Sequence, residues 1–323
     1  MPTWSNSFKP LMLNLKVSFG LVAWVVTAAF CWPGVLAWSS SVAVPPRLPQ
    51  PHESVTIDWS QVPSLDELEL ASFAAIAVEL PSGRIEGALE ADVELPLASL
   101  TKLMTAVVAL EQKVPSSTAV TFVPEDSNGI IAKFLNLGDS VSRLKVGAGE
   151  AVRFQDLLGA SLIASANNAA TALARTSGLD RAQFVARMNE RAAILGMPTA
   201  IFTEVTGLDA ENTASAYDVA VLARYAWRNA TLRTLSGSPS YKFTTAGGVQ
   251  HTLKHTNALA RASQPFAVLA SKTGFLDEAG YNIALAVRDR KQRQHLIVLL
   301  NAPTLAERTA DIRTMVRWLE SQP

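Results

Sequence analysis

The stretch VLASKTGFLDEAGYNIALAVRDRKQRQHLIVLLN, residues 268–301, holds three apolar runs separated by short polar turns. The runs at 268–273, 281–289 and 295–301 are rich in Val, Ile, Leu and Ala. They read as three strands of an antiparallel meander, with a further strand ahead of them at 241–245. Working outward, residues 72–80 form another apolar run, Pro81-Ser82-Gly83 is a turn, and 84–89 returns, as in a hairpin at a sheet edge. Residues 97–112 read as a buried helix. Between 114 and 150 the pattern is irregular, with strand-like pieces such as 141–146.

Residues 151–229 are helical, in segments at 154–174, 180–195 and 216–227. Gly196 and Pro198 stop the second. Ser215, with Asp218 three residues on, opens the third as a capping box. A closing helix at 305–319 carries Ile312, Val316 and Leu319 on one face. Strands at both ends with helices between them predict an α/β fold. One antiparallel sheet is covered by helices, a mostly helical lobe (about 114–230) is inserted, and a cleft lies between sheet and lobe.

With 323 residues, 49 % of them hydrophobic and 17 % charged, the chain is not disordered and can bury a large core. Its 28 basic groups balance 28 acidic ones, but the first acid is Glu53. Without residues 1–37, which hold Lys9 and Lys16, the net charge is about −2, which leaves no footprint for nucleic acid. The one cysteine, Cys31, excludes an internal disulfide, a cysteine-ligated zinc and a Cys-x-x-Cys pair. His251 and His255 are four apart, but no Glu follows His251 and their segment reads as irregular or strand, so they form no helical ligand pair. No metal and no cofactor is expected.

Lys9 and Lys16 precede an apolar run at 17–30 and a small-residue exit at Val35-Leu36-Ala37. That pattern is a secretory signal peptide over 1–37, cut after Ala37 or Ala43. The alternative is an uncleaved anchor, since 11–38 is long enough to span a bilayer. Phe30 argues against a lipid on Cys31. Residues 38–64, with Pro45, Pro46, Pro49, Pro51 and Pro63, read as an extended linker, which leaves 65–323 as the catalytic domain. Either way the body faces the far side of the inner membrane, in the periplasm.

Three short motifs carry the chemistry: Ser99-Leu100-Thr101-Lys102, Ser165-Ala166-Asn167 and Lys272-Thr273-Gly274. Alone, the first is equally a helix N-cap with a solvated lysine, the second a helix interruption, the third a strand entering a turn. A serine hydroxyl needs a base to become a nucleophile. Ser99 and Lys102, three apart at a helix start, share one face, so Lys102 can reach that hydroxyl. Burial beside a second cation such as Lys272 would lower the Lys102 pKa as a base requires. The helix N-terminus favours the negative charge that attack creates.

In this order the three motifs form the set of penicillin-binding proteins and class A β-lactamases. The segment Ala98-Ser-Leu-Thr-Lys-Leu-Met-Thr-Ala106 resembles the nucleophile segment of the low-molecular-mass penicillin-binding proteins, the serine D-alanyl-D-alanine peptidases. Met188-Asn189, Leu195-Gly196-Met197, Thr206-Gly207-Leu208, His255-Thr256-Asn257 and the run from Lys272 to Gly280 extend the likeness over about 72–323. The resemblance implies a β-lactamase/transpeptidase-like fold, peptidoglycan stem peptides as substrates and β-lactams as covalent inhibitors. It also implies that Ser165 relays the proton to the leaving amine, that Asn167 holds the peptide, and that Lys272 and Thr273 bind substrate from a strand edge that Gly274 lets approach closely. The backbone N–H groups of Ser99 and Phe275 would form the oxyanion hole.

No Glu-x-x-Leu-Asn follows the second motif, as Glu204 is followed by Val-Thr-Gly-Leu, so fast β-lactamase turnover is not expected. Family carboxypeptidases continue into a β-rich domain, whereas this sequence stops at Pro323. They also carry an arginine after the Lys-Thr-Gly hairpin, where Gln292-Arg293-Gln294-His295-Leu296-Ile297 shows no clear equivalent. Both features point to the D,D-endopeptidase branch, with His295 or Leu296 nearest the missing carboxylate clamp. A pentapeptide-trimming carboxypeptidase and a catalytically inactive wall-binding protein are the alternatives.

Overall fold

The computed structural model describes residues 57–80, 82–131 and 142–323, with no side chains described over 128–131. The signal-peptide or anchor segment, most of the Pro-rich stretch and Val141 lie outside the described residues. Among those that are described, no helix is long and apolar enough to cross a membrane.

The first strands are β1 (Ala74–Glu79), β2 (Ile85–Leu89) and the short β3 (Leu95–Pro96). A 3-10 turn, Ala98–Leu100, leads into α1 (Thr101–Glu111). The lobe then runs through β4 (Ala119–Thr121), α2 (Pro124–Ile131), β5 (Ala151–Arg153), α3 (Phe154–Ile163), α4 (Asn167–Thr176) and α5 (Arg181–Leu195). After it come β6 (Thr213–Ala214), α6 (Ala216–Ala226), α7 (Ala230–Gly237), β7 (Ser240–Thr244) and β8 (Gln250–Lys254). The meander β9 (Ala267–Leu276), β10 (Gly280–Arg288) and β11 (Gln294–Ala302) precedes α8 (Leu305–Ser321).

The main sheet has the order β2-β1-β11-β10-β9, with the pairs antiparallel. The hairpin β1–β2 is at one edge, as the sequence predicts, and β9 forms the other. Central strands read as unbroken apolar runs because both sheet faces are covered. Ile76, Ala284, Ala286, Leu296 and Val298 join the core shared with the helical lobe. Their neighbours Ala75, Ala77, Ile283, Leu285, Ile297 and Leu299 face Ile312, Met315, Val316 and Leu319 of α8.

Several local expectations need correction. The predicted helix 154–174 is two helices, because Ser165 adopts a left-handed φ of 58° and the Ala166 N–H closes the end of α3 on the Ala160 carbonyl. Residues 142–146 form no strand; Asn168 instead holds Leu144 by its N–H and its carbonyl, both at 2.9 Å. At α6 the capping box is one-sided. Ser215 Oγ accepts from Asp218 N–H, but the Asp218 carboxylate turns to Thr199 N and Oγ1. The end of the Pro-rich stretch packs on the fold: Pro63 O accepts from Ala88 N–H, and Trp59 meets Tyr217 edge-on at 5.9 Å.

Candidate active site

A cleft of about 320 Å³ opens between the β9 edge and the helical lobe. Ser99, Ser165, Asn167, Thr273, Gly274 and Phe275 line it, so six of the eight predicted site residues reach one cavity. The other two, Lys102 and Lys272, lie beneath it with 0 % exposure.

Ser99 sits in the 3-10 turn that precedes α1, after Ala98 at a strained φ of 48°. Two glycines brace that turn. A Cβ at Gly274 would lie 2.7 Å from Leu97 O and 3.1 Å from Ser99 N, and one at Gly207 (φ 79°) would lie 1.8 Å from Ala98 O. Gly274 thus lets β9 approach the Leu97–Ser99 backbone closely, with Phe275 the next residue along the strand. The motif lies within β9, which continues to Leu276, and not at the strand's end.

Lys102 Nζ is 2.8 Å from Ser99 Oγ and 2.5 Å from Thr206 O. A neutral amine that donates to Thr206 O keeps its lone pair for the Ser99 hydroxyl. Burial pushes the Lys102 pKa down to about 7, against the opposing pull of Glu204. Burial, and not a flanking cation, is therefore the leading cause. Lys272 is itself held well below the usual lysine range by burial, then by Lys102 and Arg308. Its Nζ bonds Ser165 Oγ at 2.9 Å and Thr273 O at 2.7 Å.

The Thr273 hydroxyl meets that of Thr256 at 2.6 Å, and His255 and Asn257 fix the same loop from below. His255 Nδ1 accepts from Asn257 N–H, so Nε2 carries the proton toward Ser236 O at 3.0 Å. Burial lowers its pKa to about 4, and the ring is neutral at physiological pH. His251 is stacked on Phe243 at 5.0 Å.

The cleft does hold an arginine, although not in the stretch 292–297 where the sequence reading looked for one. Arg308, on α8, lines the cleft and is 3 % exposed. Its Nη1 donates to Asn282 O at 3.2 Å, while its Nε is buried without a partner. Burial lowers its pKa to about 10, so it stays a cation. It has no carboxylate partner among the described residues. By contrast His295 and Leu296 are remote. Tyr281 pairs with Phe275 at the cleft, whereas Val287 pairs with His295 six residues along β10, roughly 20 Å away. His295 is spoken for by Glu86 at 2.6 Å, and Arg293 ties Asp289 to the carbonyls of Leu319, Gln322 and Pro323.

Sequence reasoning also missed Tyr281, tilted 33° against Phe275 with ring centroids 4.3 Å apart, and Leu305 at the cleft rim. Arg308 did leave a signal. It stands four residues before Ile312 on the apolar stripe of α8, where a lone arginine asks for a reason.

Residues 61–304 match the sequence model of the D-alanyl-D-alanine carboxypeptidase family. The chain is 32 % identical over 216 residues to a D-alanyl-D-alanine endopeptidase of Haemophilus influenzae, covering 67 % of this chain and 70 % of that one. It is 30 % identical over 255 residues to a D-alanyl-D-alanine endopeptidase of Pseudomonas aeruginosa, covering 78 % of each. A DD-transpeptidase of Streptomyces superposes with a TM-score of 0.70 at 25 % identity, over 77 % of this chain and 97 % of that one. A buried lysine against a serine in the cleft of that same fold is what a serine hydrolase needs, and the chain belongs to the D-alanyl-D-alanine carboxypeptidase family.

Proposed function

We propose that the enzyme is exported and hydrolyses D-alanyl bonds of peptidoglycan stem peptides through an acyl-enzyme on Ser99, with cross-links as its preferred substrate. The observation that carries the mechanism is the 2.8 Å contact between Ser99 Oγ and a fully buried Lys102. Ser99 Oγ attacks the D-alanyl carbonyl carbon and passes its proton to Lys102 Nζ. The oxyanion lies against the N–H groups of Ser99 and Phe275, each such donor contributing about 3 kcal/mol. As the C–N bond breaks, the proton held on Lys102 passes through the Ser165 hydroxyl, which Lys272 orients, to the leaving amine, and Lys102 is neutral again. Water then attacks the Ser99 ester, Lys102 takes the water's proton and returns it to Ser99 Oγ as the acyl group leaves. Asn167 and Thr273 hold the peptide.

Arg308 changes the specificity argument. A terminal D-Ala-D-Ala and a cross-link to the D-centre of a diamino acid both carry a carboxylate beside the leaving amine, so one buried guanidinium serves either. What separates them is the chain that continues beyond that carboxylate. Phe275 and Leu305, about half exposed at the rim, leave an open apolar path for it. The endopeptidases among the relatives support the same choice. Carboxypeptidase activity is the second reading, which the family match and the carboxypeptidases among the relatives support. The ratio of kcat/KM for a cross-linked dimer to that for a free pentapeptide tests it; a pentapeptide preference of tenfold would replace the endopeptidase reading. Export rests on Lys9, Lys16, the apolar run and the small-residue exit, and the N-terminal sequence of the protein recovered from the periplasm tests it.

A further inference from the structure

Glu204 takes no part in the steps above, yet its carboxylate is 3 % exposed and sits under the catalytic pair. Its Oε2 accepts from Thr206 N and Oγ1, both at 2.6 Å, and its Oε1 from Gly207 N, Leu208 N and Asn212 Nδ2. Five donors and no acceptor mark an acceptor-only carboxylate. Three successive N–H groups curl round it as a nest around an anion, and the carbonyls point outward. Two of them land on α1: Thr206 O on Lys102 Nζ, and Val205 O on Thr105 Oγ1 at 2.6 Å. The backbone carbonyl of Asn212, whose side chain the same carboxylate holds, accepts from Leu97 N at 2.8 Å, two residues before Ser99.

We propose that Glu204 is a positioning residue for the general base: it folds the 204–208 turn onto Lys102 and sets a fixed negative charge beneath the amine that receives the Ser99 proton. The role is twofold. The turn supplies the Thr206 carbonyl that aims the lone pair of Lys102 at Ser99. The charge stabilises the ammonium that forms as Ser99 attacks, which offsets part of the desolvation that makes the amine a base. Charged groups facing Lys102 are Glu204 from this turn and Lys272 from β9, while Arg308 of α8 acts on Lys272. Asp209, on the same turn, accepts from Glu211 N–H. The residues of α1 beside Lys102, Thr101 and Thr105, are uncharged.

The inference rests on Lys102 being the base, and the test separates the two. Acylation by benzylpenicillin is timed by stopped flow from about pH 5 to pH 9. In the unaltered enzyme the rate rises with pH through the Lys102 value of about 7, as the amine loses its proton. Removing the negative charge disfavours the ammonium, so Glu204→Gln moves this acid limb down by about one pH unit. Glu204→Asp keeps the charge, so its limb stays in place while its rate falls through the shortened reach. If Glu204→Gln does not fold, Glu204→Asp and Glu204→Asn make the same comparison at equal length. A limb that stays put without the charge, or moves as far in Glu204→Asp, overturns the positioning role. No limb in the unaltered enzyme overturns Lys102 as base.

Discussion

Replacing Arg308 by Met tests whether the cleft reads a carboxylate next to the bond it cuts. The guanidinium is 3 % exposed, makes one hydrogen bond through Nη1 and leaves Nε without a partner. A substrate carboxylate would be its anion. One charge-assisted hydrogen bond contributes about 1.5–3 kcal/mol, and a carboxylate left in the cleft without it adds a desolvation penalty. A total of about 2–4 kcal/mol corresponds to a fall in kcat/KM of about 30- to 900-fold. The clean assay is a cycle with two enzymes and two pentapeptides, one ending in a carboxylate and one in an amide. The unaltered enzyme should prefer the acid by about that factor, and Arg308→Met should prefer neither. Stability runs the other way. Removing a buried cation with no carboxylate partner in favour of an apolar side chain of similar length leaves the Tm unchanged or raised. Equal loss on both peptides, or full discrimination retained in Arg308→Met, would refute the clamp.

Three further outcomes follow from the geometry. Lys102→Ala should lower the acylation rate more than tenfold without lowering the Tm, since it deletes the base together with a fully buried amine; a smaller loss would remove Lys102 from the mechanism. Gly207→Ala, at φ 79° and with its Cβ driven into Ala98 O, should add about 1–2 kcal/mol of backbone strain and slow acylation by displacing the Ser99 turn, read by Tm and stopped flow. Asp311→Ala should cost about 3 kcal/mol in urea unfolding, because it strands Ala71 N, Ser72 N and Ser72 Oγ, which its buried carboxylate accepts from.

The sheet was legible because strands covered on both faces leave long apolar runs, as in 281–289 and 295–301. Ser99 and Lys102 were legible for a chemical reason, since a serine needs a base within one helical turn, whereas Ser165 and Lys272 were legible only through the resemblance of the three-motif set. What could not be read was anything set by contact between distant segments. The break at Ser165 depends on a left-handed residue that Ser tolerates only because Lys272 and the α3 end hold it there. Gly274 was read as letting the strand edge approach substrate, and the close approach it makes in the fold is to the Leu97–Ser99 backbone, which no local pattern names. An arginine for the cleft was sought on the strand after the hairpin, whereas α8 folds back over β10 and delivers Arg308 to Asn282. Glu204 was weighed as a missing deacylating acid, and its place under Lys102 follows from a turn that only tertiary packing closes.

The most direct test is peptide mapping by mass spectrometry after the folded enzyme is incubated with benzylpenicillin and quenched. A serine nucleophile activated by Lys102 gives one adduct of the antibiotic's full mass, on the peptide that contains Ser99, and none in Ser99→Ala. An adduct on any other residue, or none on folded protein, would contradict the acyl-enzyme at Ser99.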